Sequence, residues 1–156
     1  MPSISSPASN SRLRAAASLF MKAASVTYSL ATEQDTSRVK LRLHLPGNQI
    51  INATVEDNAT SRDFLALLPL ALTLEDYHAT EKIADLPSRL NTAHAPAGTT
   101  PAPGDITYYA PWGNLAIFYR RFPYSAGLVR LGRLEGELAP LQRSGPLDIR
   151  IVRADP

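Results

Sequence analysis

Most of the chain after residue 38 alternates between apolar and polar positions in short runs. In residues 38–45 four aliphatic side chains alternate with Arg, Lys, Arg and His. This spacing predicts a β-strand with one buried and one solvated face. A Pro-Gly-Asn turn signal occupies 46–48, and the alternation resumes at 51–55. The two runs are therefore predicted to form a hairpin.

A short helix is predicted after this hairpin. The run from Thr60 to Asp63 resembles a capping box with Asp in place of Glu, and Phe64, Leu67 and Leu68 recur at helical spacing. Pro69 ends the run, since the residue before a proline disfavours helix. We expect this helix to plug a core.

The remaining segments are mostly short apolar runs separated by turn residues. Residues 81–90 are interpreted as a mixed segment with one helical turn ended at Pro87, and 91–104, rich in Pro and Gly, as a surface loop. Further strands are predicted at 70–74, 105–110, 115–120, 128–134 and 147–152.

About seven short strands without long crossover helices favour antiparallel pairing over a parallel α/β sheet. Closure of the sheet would also remove exposed strand edges. The predicted fold is mainly β, a closed antiparallel barrel with one or two short helices.

The composition changes near Glu33, so we predict an N-terminal extension at 1–35 and a barrel domain at 36–156. Residues 1–31 contain no acidic residue and three cations. They are compatible with a disordered or helical extension, a secretory signal ending at Ala31, or a transit-like segment; Met21 is an alternative start. We expect a cytoplasmic location, or a secreted or periplasmic one if 1–31 is a signal peptide. No run approaches the ~18 apolar residues of a transmembrane helix.

Charge and residue usage exclude several functions. The net charge is +2 and there is no cysteine, which argues against a nucleic-acid surface and excludes disulfides and thiolate metal sites. His44, His78 and His94 are scattered without metal-ligand spacing. No nucleophile elbow, catalytic triad spacing or phosphate-binding glycine loop occurs. We therefore predict no catalytic residue set, no metal and no cofactor.

Seven of the eleven aromatic residues lie between positions 108 and 124. They are interpreted as either a core layer or the wall of a ligand pocket. Tyr108 and Tyr109 are adjacent in a predicted strand and must point to opposite faces. Trp112 either caps the barrel end or forms a groove rim with Tyr109 and Tyr119. Asn114 is predicted to adopt a positive φ after Gly113 or to contact a ligand.

Two groups of charged residues are further candidates. Glu75, Asp76 and Glu81 are either a solvated turn or a carboxylate group able to do acid–base work. We expect Glu81 to anchor its loop near the pocket mouth through backbone N–H groups. The second group consists of four arginines, which either bind an anion together or are simply solvent-exposed on an outer face. They are Arg120, Arg121, Arg130 and Arg133.

Several segments together resemble the small cyclophilin-like domain proteins of bacteria and archaea. They are NATSRDF at 58–64, LLPL at 67–70, TEKIADLP at 80–87, GDITYYAPWGNLAIFY at 104–119 and GLVRLGR at 127–133. The resemblance covers nearly all of 38–153 and implies a cyclophilin-like closed β-barrel, without implying an activity. The Phe-His-Arg and Gln-Gly-Gly strings of cyclophilin-type prolyl isomerases do not occur. Residues 118–122 are only superficially similar to the first of these strings.

The function predicted from these observations is a non-catalytic module that binds a peptide or a small molecule. Its predicted ligand-binding residues are Glu81, Tyr109, Trp112, Asn114 and Tyr119. One alternative is a weak peptidyl-prolyl cis-trans isomerase, based on fold analogy alone. Another is a structural or interaction domain attached through residues 1–31. No nucleic acid or transmembrane segment is expected, and the sequence does not determine the oligomeric state.

Overall fold

The computed structural model describes residues 38–154. The interpretations of the N-terminal extension and the boundary predicted at residue 35 lie outside the described residues. Within the described part, no helix has the length and apolar character needed to cross a membrane.

Eight antiparallel strands form a closed barrel. The barrel strands are β1 (Val39–Leu45), β2 (Gln49–Val55), β3 (Leu70–Tyr77), β4 (Glu81–Asp85), β6 (Asp105–Tyr109), β7 (Asn114–Phe118), β9 (Leu128–Glu135) and β10 (Leu147–Arg153). Their order around the barrel is β1-β10-β3-β4-β7-β6-β9-β2, and β2 pairs with β1 to complete it. A separate two-stranded ribbon pairs β5 (Gly98–Thr99) with β8 (Ser125–Ala126). The prediction of a mainly β, closed antiparallel barrel is confirmed.

The helical turn predicted within residues 81–90 is wrong, because residues 81–85 form strand β4 between β3 and β7. Alternation along β4 places Lys82 and Ala84 on the interior face and Glu81 and Ile83 on the outer face. A lysine at an interior position and a glutamate outside it conceal the usual apolar pattern, which explains the failed prediction.

Each barrel strand contributes alternate side chains to an interior core. Leu41, Leu43 and Leu45 of β1 and Leu147, Ile149 and Ile151 of β10 are buried there. A smaller apolar cluster lies on the outer face of the wall and consists of Ala116, Phe118 and Leu128, with Ile83 and Tyr109 packed against it. The wall between β4 and β9 is therefore apolar on both sides.

The predicted short helix is α1 (Ala59–Ala66), and its Phe64 is fully buried in the core. The predicted capping box is wrong: the N-cap is Asn58, whose Oδ1 accepts from the Ser61 N–H at 2.8 Å. Thr60 Oγ1 instead donates to the Asn91 carbonyl at 2.7 Å, and Asp63 Oδ2 accepts from the Asn91 N–H at 2.7 Å. Both side chains therefore fix the start of the 91–104 loop against the helix.

That segment, predicted to be a surface loop, also contains the two-residue strand β5. The ribbon allows no side chain at Gly98, because a Cβ there would lie 2.3 Å from the Ser125 carbonyl oxygen and 2.9 Å from the Ala126 Cα. Such distances are far inside van der Waals contact. The ribbon is thus a close backbone-to-backbone contact over the outer face of the barrel.

A 3₁₀ helix (Ala139–Gln142) leads into a segment that covers one end of the barrel interior. Lys82 has no exposed surface, and its Nζ donates to the carbonyls of Arg143 at 2.6 Å and Gly145 at 3.0 Å. Asp76 Oδ1 lies 3.5 Å from the same ammonium and accepts from the Tyr119 hydroxyl at 2.5 Å. A buried lysine is tolerated because its donors are satisfied.

The substitution Lys82→Met should lower the free energy of unfolding by about 2–4 kcal/mol, because it leaves two carbonyls and a carboxylate without their shared donor. Lys40→Met is the matched control, since Lys40 forms an exposed pair with Glu135 at 2.6 Å and should change stability by about 1 kcal/mol or less. Urea unfolding measures both. Equal effects of the two substitutions would show that the interior network stabilises the fold no more than an exposed ion pair does.

Candidate functional site

A groove of ≈ 430 Å³ lies on the outer face of the barrel wall. Its floor is formed by outward-facing residues of four neighbouring strands, because in-register pairs place their side chains on the same face. Glu81 pairs with Phe118, Tyr109 pairs with Asn114, and Tyr109 also pairs with Leu128. The strand register therefore brings residues distant in sequence to one surface.

One wall of the groove is a group of three aromatic rings around Trp112. The Tyr77 and Trp112 ring centroids are 5.7 Å apart with an interplanar angle of 88°, and those of Tyr109 and Trp112 are 5.4 Å apart at 79°. Such edge-to-face contacts are favourable. The segment that carries the ribbon also contributes Phe122, Ser125 and Ala126 to the lining.

The turn between β6 and β7 positions the indole. The N–H groups of Trp112 and Gly113 donate to the Tyr109 carbonyl at 3.3 and 2.9 Å. Gly113 has φ = 69°, a conformation that glycine adopts without steric cost. The positive φ predicted for Asn114 is therefore wrong, because Gly113 supplies it and Asn114 begins β7.

Asn114 is the polar group at the groove floor. It is 3% exposed, and its Oδ1 accepts no hydrogen bond from any residue in 38–154. A buried carbonyl oxygen without a donor is unfavourable by about 1–3 kcal/mol. Most such groups in proteins have partners, so Asn114 is the unsatisfied polar side chain of the groove lining.

Glu81 is the one acidic side chain that lines the groove. Burial raises its pKa from 4.5 to about 7, because desolvation disfavours the charged form. The predicted anchoring role is not observed, since no backbone N–H within residues 38–154 donates to its carboxylate. Glu81 therefore titrates near neutral pH while facing the groove.

Four of the five predicted ligand-binding residues line this groove: Glu81, Tyr109, Trp112 and Asn114. Tyr119 does not, because it directly follows Phe118 of β7 and points to the opposite face, into the barrel core, where it is 6% exposed. Burial, followed by its bond to Asp76, raises the pKa of the Tyr119 hydroxyl to about 12. Its predicted place on the rim is wrong. Tyr108 and Tyr109 do face opposite sides, with Tyr108 in the core.

The acidic residues near Tyr77 do not form a carboxylate pair. Asp76 faces the barrel interior beside Lys82, Glu81 faces the groove, and Glu75 is exposed. Alternation along β3 and its pairing with β4 separate them. The described residues contain no group of three His, Cys, Asp or Glu side chains able to hold a metal ion.

The four predicted arginines are dispersed rather than gathered. Arg130 lines a second cavity of ≈ 340 Å³, which shares Leu128 with the groove. Its Nε donates to Glu56 Oε2 at 2.6 Å. Arg133 donates to the Pro103 carbonyl at 3.5 Å, and Arg120 and Arg121 are exposed. The arrangement fits a solvated outer face better than an anion site.

Sequence reasoning missed Tyr77, Ser125, Ala126 and Leu128 as groove residues, and it identified Phe118 and Phe122 only as members of the aromatic group. Tyr77 follows from the register, since it pairs with Glu81. A correct assignment of β4 would have revealed it. Ser125 and Ala126 belong to the two-residue ribbon, which is too short to give a periodic signal.

Comparison with known proteins identifies a family and a shared fold. The profile of the cyclophilin-like family matches residues 46–152, more than half of the chain. The solution structure of a hypothetical protein from Archaeoglobus fulgidus is similar with a TM-score of 0.54 and 15% identity, over 76% of this chain and 96% of that one. At that identity the likeness shows the fold alone. No curated protein matches the chain in sequence.

The raised pKa of Glu81 predicts a stability that depends on pH. Because the folded-state pKa of about 7 exceeds the unfolded value of 4.5, the folded state binds more protons, and stability falls as pH rises from 4.5 to 7. Glu81→Gln should remove this loss of stability. The variant should be about 1–2 kcal/mol more stable than the parent at about pH 8, and the two proteins should be equally stable at about pH 4. Urea unfolding across this range measures it. Parallel pH profiles for the two proteins would contradict the prediction.

Proposed function

The chain belongs to the cyclophilin-like family, and we propose that its domain is a non-catalytic module that binds an extended peptide segment or a small ligand in the aromatic groove. The observation that carries this proposal is an open groove with an aromatic wall, whose lining includes Asn114 with its unpartnered Oδ1. Pockets for small ligands combine apolar walls with few polar groups that fix orientation.

The size and composition of the groove support binding. Its volume of ≈ 430 Å³ lies within the range of about 300–1,000 Å³ that is usual for ligand pockets. Trp112 is 54% exposed although it is the largest side chain of the turn. An exposed aromatic beside other rings is typical of an interaction site.

The chemistry of the lining favours binding over catalysis. Ser125 is the one groove residue with an aliphatic hydroxyl that could act as a nucleophile. Its Oγ donates to the Pro123 carbonyl at 3.3 Å, and not to a side chain that could act as a base. No His, Lys or Arg lines the groove. A nucleophile needs an adjacent base for activation, and cyclophilin-type isomerases use an arginine whose motif is missing from this sequence.

The substitution Trp112→Ala should weaken ligand binding by about tenfold, because it removes the ring on which the aromatic wall is built. Ligand-observed NMR with pools of peptides and metabolites is the measurement, and line broadening in the parent should be lost in the variant. Ile50→Ala is the matched control, because Ile50 is 51% exposed on β2, away from the groove, and should retain broadening. A folded Trp112→Ala protein that binds unchanged would show that the site lies elsewhere.

A protease-coupled assay on Ala-Pro peptides should give the uncatalysed rate of isomerisation. The expectation follows from the missing arginine motif and from a groove lined by no cation. Catalysis above background that is lost in Trp112→Ala would overturn the non-catalytic proposal and restore the isomerase alternative.

A further inference from the structure

We propose that the groove binds a primary alkylammonium group, with the aromatic wall around its aliphatic stem and the ammonium at Glu81. This inference rests on the proposed function and names the chemical class of its ligand. The shared chemistry is that of a lysine side chain in a peptide and of a free small amine.

Charge complementarity is the first support. Glu81 is the one ionisable acid among the groove residues, and no cationic side chain accompanies it. The adjacent Lys82 points into the barrel and is fully engaged with the carbonyls of residues 143 and 145. Because Glu81 has no cationic partner in the groove, a ligand ammonium would supply one.

Glu75 and Asp85 share the outer face with Glu81 without lining the groove, and they pair with Ile83 and Asn114. The other charged groups near Glu81 do not line the groove either. Asp76 on β3 lies on the interior face with Lys82, and Arg120 beyond β7 is exposed and does not line the groove. Arg89 donates to the carbonyl of Ala110, just before Trp112, at 2.9 Å, and it does not line the groove. The residues paired directly with Glu81 are Tyr77 and Phe118. The carboxyl therefore has uncharged neighbours across both strand pairs.

The aromatic wall is the second support. Tyr77 and Tyr109 are both nearly perpendicular to Trp112, so the three rings form a corner at the groove edge. Ring faces attract a cation through their quadrupole, most strongly for Trp. A four-carbon stem would bury apolar surface against the same rings while its charged end reaches the floor.

The hydrogen-bonding groups are the third support. The Glu81 carboxylate is a hydrogen-bond acceptor at the groove, and its desolvation is not offset by a hydrogen bond from residues 38–154. A primary ammonium carries three donors and no acceptor, which matches this carboxylate. An anionic ligand would meet a carboxylate with no cation, and an apolar ligand would leave it without a donor.

The test compares Ac-Gly-Lys-Gly-NH₂ with Ac-Gly-Nle-Gly-NH₂, in which norleucine keeps the stem and lacks the ammonium. Amide chemical-shift titrations of the full-length protein at about pH 8 should give about tenfold tighter binding of the lysine peptide. This preference should fall as pH decreases through 7, where Glu81 takes up a proton. Butylamine in a third arm separates the two sources: weaker binding than the lysine peptide indicates a peptide ligand, and equal binding indicates a free amine.

Glu81→Gln should abolish the preference for lysine over norleucine while leaving norleucine binding intact. The matched control is Glu137→Gln, an exposed acid outside the groove, which should keep the preference. Equal binding of both peptides by the parent protein at about pH 8, with shifts at groove amides, would overturn the inference and leave the proposed function standing. An absence of binding to any probe or ligand pool would remove both.

Discussion

The hydrogen bonds between Lys82 and the carbonyls of Arg143 and Gly145 determine which way strand β4 faces. A buried ammonium is stable only where acceptors surround it, and the covered end of the barrel provides them. If β4 shifted by one residue, every side chain would exchange faces. Glu81 would then enter an apolar interior, and the groove would lose its acidic group. The ammonium inside the barrel thus fixes the chemistry of the outer wall.

The groove exists because the barrel wall is apolar on both faces. An ordinary antiparallel wall is solvated outside, but here Ala116, Phe118 and Leu128 form an outer apolar cluster. The segment carrying Phe122 and the β5–β8 ribbon covers part of this cluster, and the Phe118 and Phe122 ring centroids lie 6.0 Å apart. The uncovered remainder, bordered by the rings around Trp112, is the groove. Its position therefore depends on an incomplete second layer.

Alternation along the strands was sufficient to predict the mainly β barrel and most of its strands, because burial of one face imposes a period of two. It failed at β4, where the buried side chain is a lysine whose partners come from residues about sixty positions away. The same limit explains Tyr119, which was grouped with the rim although its position directly after β7 turns it inward. Sequence proximity of aromatic residues predicted the region of the groove, whereas strand pairing decided which of them line it.

The exposed indole of the β6–β7 turn has one more consequence. Trp112 is the single tryptophan of the chain, and it lies half in solvent between two tyrosine rings. Fluorescence excited at the red edge of protein absorbance, where only tryptophan absorbs, therefore originates from Trp112 alone. The protein carries an intrinsic optical reporter at the place where its aromatic rings meet water.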